Sequence, residues 1–404
     1  MNVYLNKPKL DWLPMFLLIL SAGSIYFVFL RKELLYLTLF VFGGLFFIKH
    51  AFRNTLTSLF ILVFLFFTLL GLNFLFAVKE QATQKLFANF VIFLTAIFSA
   101  LTYQDKKSQF LNHLYVVLKI ILIHSLINFI AYPFVKPFLF EISNERFDCL
   151  TFYNLFFYLG DTHLSNVLGV ELARNQGFFW EPGVLQILLN LLLFIEAFVF
   201  KRNGTRFWLT ILAIMSTFST TGLVVMLIQL AIYFSRIIQR KIYLAPIFSL
   251  ILVGVFFVTQ NNVEDKLSGS GQVSFQARFF DLVQPLYILS DNPFTGVGLD
   301  DEQYVEIRQQ PNYSLNIGLL DFSNRSKGST NSVMYFLAAA GIPFALIVFF
   351  FMYNQQFMLE KRLWFFIFTV VSLMTEPLLL RPFFLTFVMS GGIYFFNKFK
   401  WKGY

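Results

Sequence analysis

Residues Arg174 to Gly183 read Arg-Asn-Gln-Gly-Phe-Phe-Trp-Glu-Pro-Gly, a cation and an anion set among two glycines, a proline and three aromatic rings. The planar guanidinium of Arg174 suits bidentate capture of an anionic head group. Glu181 lies where a long apolar run begins. Desolvation there raises a carboxyl pKa towards the range of a general base. Gly177 and Gly183 allow close backbone approach, Pro182 suits the first turn of a helix, and a carboxylate beside it is favoured by the helix dipole. The same residues also suit an ordinary capped helix start with an interfacial Arg–Glu pair, and the sequence leaves both readings open.

A second group follows about a hundred residues later. Arg278 and Asp281 stand three apart on a predicted helical stretch from Phe275 to Leu289, where the plain reading is a surface ion pair. The chemical reading is a second arginine facing the first, completing a clamp for a pyrophosphate, whose several negative charges need several donors. Asp291-Asn292-Pro293 and Gly296-Val297-Gly298 fit turn chemistry, and without a preceding strand the Gly-x-Gly is not a nucleotide loop. Ser329-Thr330-Asn331-Ser332 reads as a helix cap, with Arg325 and Lys327 adding positive charge just before it. Glu376-Pro377 and Arg381-Pro382 bracket a late turn, either closing a ring of charges or forming an interfacial pair. Lys119, His124 and Glu196 fall inside apolar runs, where ionisable groups are functional suspects, although Lys119 also suits snorkelling. His163 is the one histidine in an outward loop, with no evident partner.

The elements that must position these residues are apolar. The 404-residue chain is 57% hydrophobic and 13% charged, with 58 Phe and a mean hydropathy of +0.68. Such a composition excludes an ordinary soluble domain and a disordered chain, and implies an all-α, polytopic membrane protein. At about 20 apolar residues per crossing, about twelve spans are expected: Trp12 to Leu30, Leu34 to Ile48, Thr55 to Val78, Leu86 to Tyr103, Phe110 to Tyr132, Gly177 to Phe200, Phe207 to Phe218, Leu223 to Ser235, Ile242 to Val258, Ser332 to Tyr353, Leu363 to Thr375 and Phe383 to Asn397. The first is read as an uncleaved span, being too long for a signal h-region. Cys149 is the only cysteine, so no intrachain disulfide is possible, and neither a metal nor a cofactor is expected.

Charge orients the spans. Breaking Phe207 to Ser235 at Ser219-Thr220-Thr221-Gly222 collects seventeen Lys and Arg against three acids on one side, and thirteen against eighteen on the other. The positive-inside bias makes the first side, with both termini, cytoplasmic. The net charge of +9 is thereby explained by topology, and no nucleic-acid partner is implied. The expected organisation is one integral-membrane domain: residues 1–132 with five spans, an outward loop at 133–176, central spans at 177–258, a large outward loop at 259–331, and C-terminal spans at 332–404. Within the first loop, the aromatic stretch Phe147 to Leu159 is expected to be a helix lying on the bilayer surface. No internal repeat or inverted pair of broken helices is present, which argues against a secondary transporter.

The order Arg174-x-x-Gly177-Phe-Phe-x-Glu181-Pro182-Gly183, then Ser219-Thr-Thr-Gly222 between short spans, then Arg278 ahead of Asp291-Asn-Pro-x-x-Gly296-x-Gly298, then Asn331 before a span, resembles the O-antigen polymerase and O-antigen ligase superfamily of Wzy-type proteins. The resemblance covers roughly Arg174 to Phe350. It implies a glycosyltransferase of the bacterial inner membrane that acts on undecaprenyl-pyrophosphate-linked oligosaccharide at the outer face without a metal, alongside a chain-length regulator and a flippase. Arg174 and Arg278 inherit the role of holding the donor pyrophosphate. Glu181 and Asp281 complete the expected catalytic set, and Gly177, Trp180, Asp291, Arg325 and Asn331 the expected substrate-binding set. Ligases typically carry His-Asn where this chain has Thr330-Asn331, which favours a repeat-unit polymerase over a ligase and leaves the base unassigned. The chain also lacks the arginine that many relatives place near Ser219, a gap that Arg325 would fill. The rival from another class is a lipid-linked glycan transporter or flippase, for which the few intramembrane charges are thin support.

Overall fold

The computed structural model describes residues 10–50, 55–144, 147–159, 164–167, 170–238, 272–313, 316–317, 320–321 and 328–400. Apolar runs in this chain fold as helices because a backbone removed from water must satisfy its own polar groups. In chain order these are α1 (Leu13–Leu20), α2 (Ile25–Phe29), α3 (Arg31–His50), α4 (Thr55–Leu75), α5 (Thr83–Tyr103), α6 (Lys107–Val135), α7 (Pro182–Phe194), α8 (Thr205–Ser216), α9 (Thr220–Ile238), α10 (Gln272–Asp291), α11 (Asp301–Arg308), α12 (Ser332–Ala340), α13 (Ile342–Tyr353), α14 (Arg362–Leu373) and α15 (Pro382–Lys400). Among the described residues four stretches are long and apolar enough to cross a membrane: Leu56–Leu75, Thr83–Tyr103, Lys107–Phe138 and Pro182–Val199. Shorter apolar helices accompany them, so the membrane character holds while a count of twelve spans does not follow. Large rings stand outward where a soluble protein would bury them, Phe40, Phe60 and Phe64 among them. The expected span Ile242 to Val258 lies outside the described residues.

Helix α7 is the centre. Every residue from Pro182 to Phe194 is buried, as expected of a helix that is apolar all round. It packs on α6, α8 and α9. The chain breaks between α8 and α9 at Thr217-Phe218-Ser219, with Phe218 at φ +48°, so Phe207 to Ser235 is two helices.

Two expected spans are interrupted. Trp12 to Leu30 divides into α1 and α2 at Ser21-Ala22-Gly23-Ser24, where Gly23 has φ +144° and the Ser24 hydroxyl accepts from Phe27 N–H at 3.1 Å as the cap of α2. Ser332 to Tyr353 divides into α12 and α13 at Gly341, φ +79°. Each break receives another segment. Phe178 C=O accepts from Ile25 N–H at 2.9 Å and Gly23 C=O from Trp180 N–H at 3.3 Å. At the other break, Val297 and Gly298 N–H donate to Ala338 and Ala339 C=O at 3.0 and 2.9 Å, and Ile342 N–H to Pro293 C=O at 2.8 Å. Gly296 and Gly341 are glycine because a Cβ on either would strike the other's backbone strand at this crossing. The Gly-x-Gly is thus a close-approach device.

The stretch Phe147 to Leu159 is not an interfacial helix. It folds as strands β2 (Phe147–Phe152) and β3 (Phe156–Tyr158), antiparallel to each other and, through β2, to β1 (Phe140–Asn144). Burial follows a period of two, with Cys149 and Thr151 inward, and Tyr153 and Asn154 at φ +50° and +56° turn the hairpin. Further two-stranded pairs, β4 (Leu164–Val167) with β5 (Val170–Ala173) and β6 (Asn316–Ile317) with β7 (Leu320–Asp321), make the chain mostly helical, a correction to the all-α expectation. Asn128 of α6 anchors the first sheet through Phe157 N–H at 3.2 Å and Tyr158 Oη–H at 2.8 Å.

Candidate functional site

The stretch from Arg174 is threaded between helix ends by its amides. Asn175 donates through Nδ2 to Ser125 C=O at 3.0 Å and to Ser216 Oγ at 2.9 Å, and its Oδ1 accepts from Gly177 N–H at 3.1 Å. Gly177, at φ +57°, turns the chain there. Gln176 Nε2 reaches Cys149 Sγ at 3.6 Å, tying the stretch to the sheet. Arg174 donates through Nε to Thr217 C=O at 3.3 Å and through one terminal nitrogen to Phe218 C=O at 3.4 Å, the carbonyls freed by the break between α8 and α9. Trp180, held against the α1–α2 break, stacks under the Arg381 guanidinium at 5.5 Å. Phe27 takes the other contact of Arg381 at 4.9 Å.

Glu181 caps α7 without a side-chain bond to that helix. Its carboxylate meets Glu376, which comes from the turn between α14 and α15. Arg174 and Arg278 act electrostatically on this pair and on each other. Four ionisable groups from three parts of the chain thus converge at the amino end of α7. Ser332, the first residue of α12, donates its hydroxyl to Glu376 C=O at 2.8 Å and to Leu373 C=O at 2.7 Å, bringing a second helix amino end to the same place.

The electrostatics are unbalanced by design of position. Burial raises the Glu376 carboxyl well above the ordinary carboxylate range, Glu181 raises it further, and Arg278 and Arg174 only partly offset the two. Burial lowers the Arg174 guanidinium from its ordinary value and Arg278 adds to that, against Glu181 and Glu376. Arg381 is lowered by burial first and by Arg31 second. Two arginines near two carboxyls, one of them pushed by burial towards its neutral form, bias the site between helix amino ends towards positive charge, an arrangement suited to a multivalent anion.

Asp281 stands apart from this cluster. Rather than pairing with Arg278, it meets Arg308 of α11 at 2.7 Å, with both side chains buried. Its other oxygen accepts from Thr330 N–H and Oγ1–H, each at 2.8 Å. Gln284 accepts from Arg308 Nε at 2.8 Å, and the Phe280 ring lies 5.2 Å from the guanidinium. Asp281 is therefore committed to holding α10, α11 and the approach to α12 together. Asn331 caps α12, its Oδ1 accepting from Met334 N–H at 3.0 Å, and Asp291 accepts from Tyr313 Oη–H at 2.7 Å. Those bonds give both residues structural work. Arg325, Lys327 and His163 lie outside the described residues. Lys119 lies 5.0 Å from the Tyr115 ring, and Tyr115 donates to buried Glu196 at 2.5 Å, within a separate cluster that includes Arg206.

Sequence reasoning brought Glu376 and Arg381 forward only as a possible ring of charges, and missed the Gly23 break that seats Trp180. The signal for the first was a Glu-Pro and an Arg-Pro bracketing one short turn. The Gly-Ser in a span of otherwise apolar residues was the signal for the second. No metal-binding group of three His, Cys, Asp or Glu occurs among the described residues. No family model matches the sequence, and no match was found among curated proteins or solved structures.

Proposed function

We propose that the protein is an oligosaccharide repeat-unit polymerase for O-antigen, capsule or exopolysaccharide. It transfers a growing glycan from its undecaprenyl pyrophosphate to an incoming lipid-linked repeat unit, at the outer face of the inner membrane. One observation carries this reading: Arg174 and Arg278, distant in sequence, interact at converging helix amino ends beside an exposed carboxylate, Glu181. A pyrophosphate leaving group needs cationic stabilisation that strengthens as the bond to the sugar breaks, and a paired arginine clamp supplies it. Apolar helices around the site suit a polyprenyl chain. On this reading Glu181, exposed beside the arginines, is the group that takes the proton of the acceptor hydroxyl. Gly177 turns the chain three residues after Arg174, and Trp180 packs against Gly23 and the Arg381 guanidinium. A ligase moving finished glycan to another acceptor shares this chemistry, and Thr330 in place of a histidine favours the polymerase.

In cells, Arg174→Ala and Arg278→Ala each abolish long-chain polymer while the protein still reaches the membrane. Normal chain-length ladders from both variants would sink the reading. In liposomes, polymer formed from lipid-linked repeat units without flipping separates the enzyme from a transporter. Loss of the gene leaves single repeat units on the final acceptor if the protein is a polymerase, and none if it is a ligase.

A further inference from the structure

The two carboxyls at this site differ in a way that assigns them different work. Glu181 is exposed, whereas Glu376 is 2% exposed and is hydrogen-bonded to it. The Glu376 carboxyl is seated in a notch at Gly183, in the first turn of α7, where a Cβ would overlap its Oε1. Its backbone carbonyl accepts from the Ser332 hydroxyl, and Leu378 N–H donates to the same oxygen at 2.8 Å. A side chain fixed at both ends cannot swing to solvent. The charged groups facing it are Glu181 from the cap of α7, Arg278 from α10 and Arg174 from the segment before α7. From α12 it meets the Ser332 hydroxyl, which does not titrate. Arg381, five residues on, is turned to Phe27 and Trp180.

Two hydrogen-bonded carboxyls in one site cannot both ionise, and the proton stays on the one with less access to water. We propose that Glu376 is a positioning residue whose O–H donates to Glu181, holding Glu181 as an ionised, solvent-facing carboxylate aimed at the hydroxyl of the acceptor sugar. The proposal rests on the polymerase reading above and identifies how its base is prepared. In the transfer, the acceptor O–H bond breaks and its proton passes to a Glu181 carboxylate oxygen. The electron pair left on the acceptor oxygen forms the bond to the anomeric carbon. The bond from that carbon to the phosphate oxygen breaks, and its electrons remain on the lipid pyrophosphate between Arg174 and Arg278. Glu376 keeps its proton throughout.

Two measurements test this. Infrared spectra of the purified protein in phosphatidylglycerol vesicles show a carboxylic-acid C=O stretch at neutral pH that disappears in E376Q and survives in E181Q. A band unchanged in E376Q, or no band, overturns the proposal. With lipid-linked repeat units as substrate, E376Q retains polymer synthesis because an amide N–H donates where the acid did, and it lacks the alkaline fall that the wild type shows when Glu376 ionises. E181Q and Glu376→Ala lose activity by on the order of 100-fold or more. An E376Q variant as inactive as Glu376→Ala, with its membrane level intact, overturns the positioning role. Arg174→Ala separates the two layers: polymer from that variant defeats the polymerase reading, whereas the infrared result reports on the carboxyl pair alone.

Discussion

Arg278 and Asp281 sit one turn apart on α10 and lead to opposite kinds of site. Asp281 enters a closed network in which both oxygens, the Arg308 guanidinium and Gln284 all find partners of the right kind. Arg278 enters a cluster where an arginine faces an arginine and a glutamic acid faces a glutamate. The first arrangement has nothing left to offer a ligand. The second holds two arginines beside a buried carboxyl that favours its neutral form, a positive excess that a multivalent anion would relieve. Satisfied charge marks the frame, and uncompensated positive charge marks the candidate site.

The largest test of that contrast is Asp281→Ala, which strands the buried Arg308 and lowers stability by about 3–5 kcal/mol. Thermal unfolding in detergent reads it, and Arg278→Ala beside it leaves the transition nearly unmoved while, on the polymerase reading proposed above, it abolishes polymer. An Asp281→Ala protein of full stability would erase the distinction. Next comes Gly296→Ala at the crossing with Gly341. A side chain at φ +67° alone is destabilising by about 1–3 kcal/mol, and the overlap with the Ala339 carbonyl adds to it. Equal stability in that variant would show that the second helix break does not need the close approach.

A smaller effect concerns pH. With its pKa raised in the fold, Glu376 holds a proton that the unfolded chain has already released. The stability linked to that proton is fully present below the ordinary carboxylate pKa and is lost as pH rises through the elevated one. The slope is at most about 1.4 kcal/mol per pH unit. Unfolding midpoints of the wild type therefore fall across that window, and those of E376Q run flatter. Parallel curves would place the proton elsewhere. The smallest effect is that of Lys79→Ala, which removes a part-exposed pair with Glu306 at 2.7 Å and changes stability by less than about 1 kcal/mol. That pair has the opposite charges of the Asp281–Arg308 pair, yet it is part-exposed and solvent screens it.

Much of this was legible along the chain. Long runs of Leu, Ile and Phe have one solution in a membrane, so the helices from Thr55 to Tyr103 and Lys107 to Val135 lie close to where the apolar runs put them. The break between α8 and α9 was readable because charge bookkeeping demanded it, and Asn331 as a cap because its type and its place before an apolar run required it. Over Phe147 to Leu159, aromatic content alone does not distinguish a surface helix from a strand. The period-two burial of Cys149 and Thr151 does. The i, i+3 spacing of Arg278 and Asp281 was a true neighbour relation on the helix that said nothing about which tertiary partner each would find.

By itself the sequence determined the apolar, helical character of the chain and the residue types at the amino end of α7, because hydrophobic run length and local capping chemistry act over a few turns. Only the tertiary structure decided that Glu376 meets Glu181, that Arg174 and Arg278 share a site, that Asp281 belongs to Arg308, and that Gly23 seats the strand leading to Trp180. Those pairings join residues up to about two hundred positions apart. They are set by which helices pack around α7, a property of the whole bundle that no local window contains.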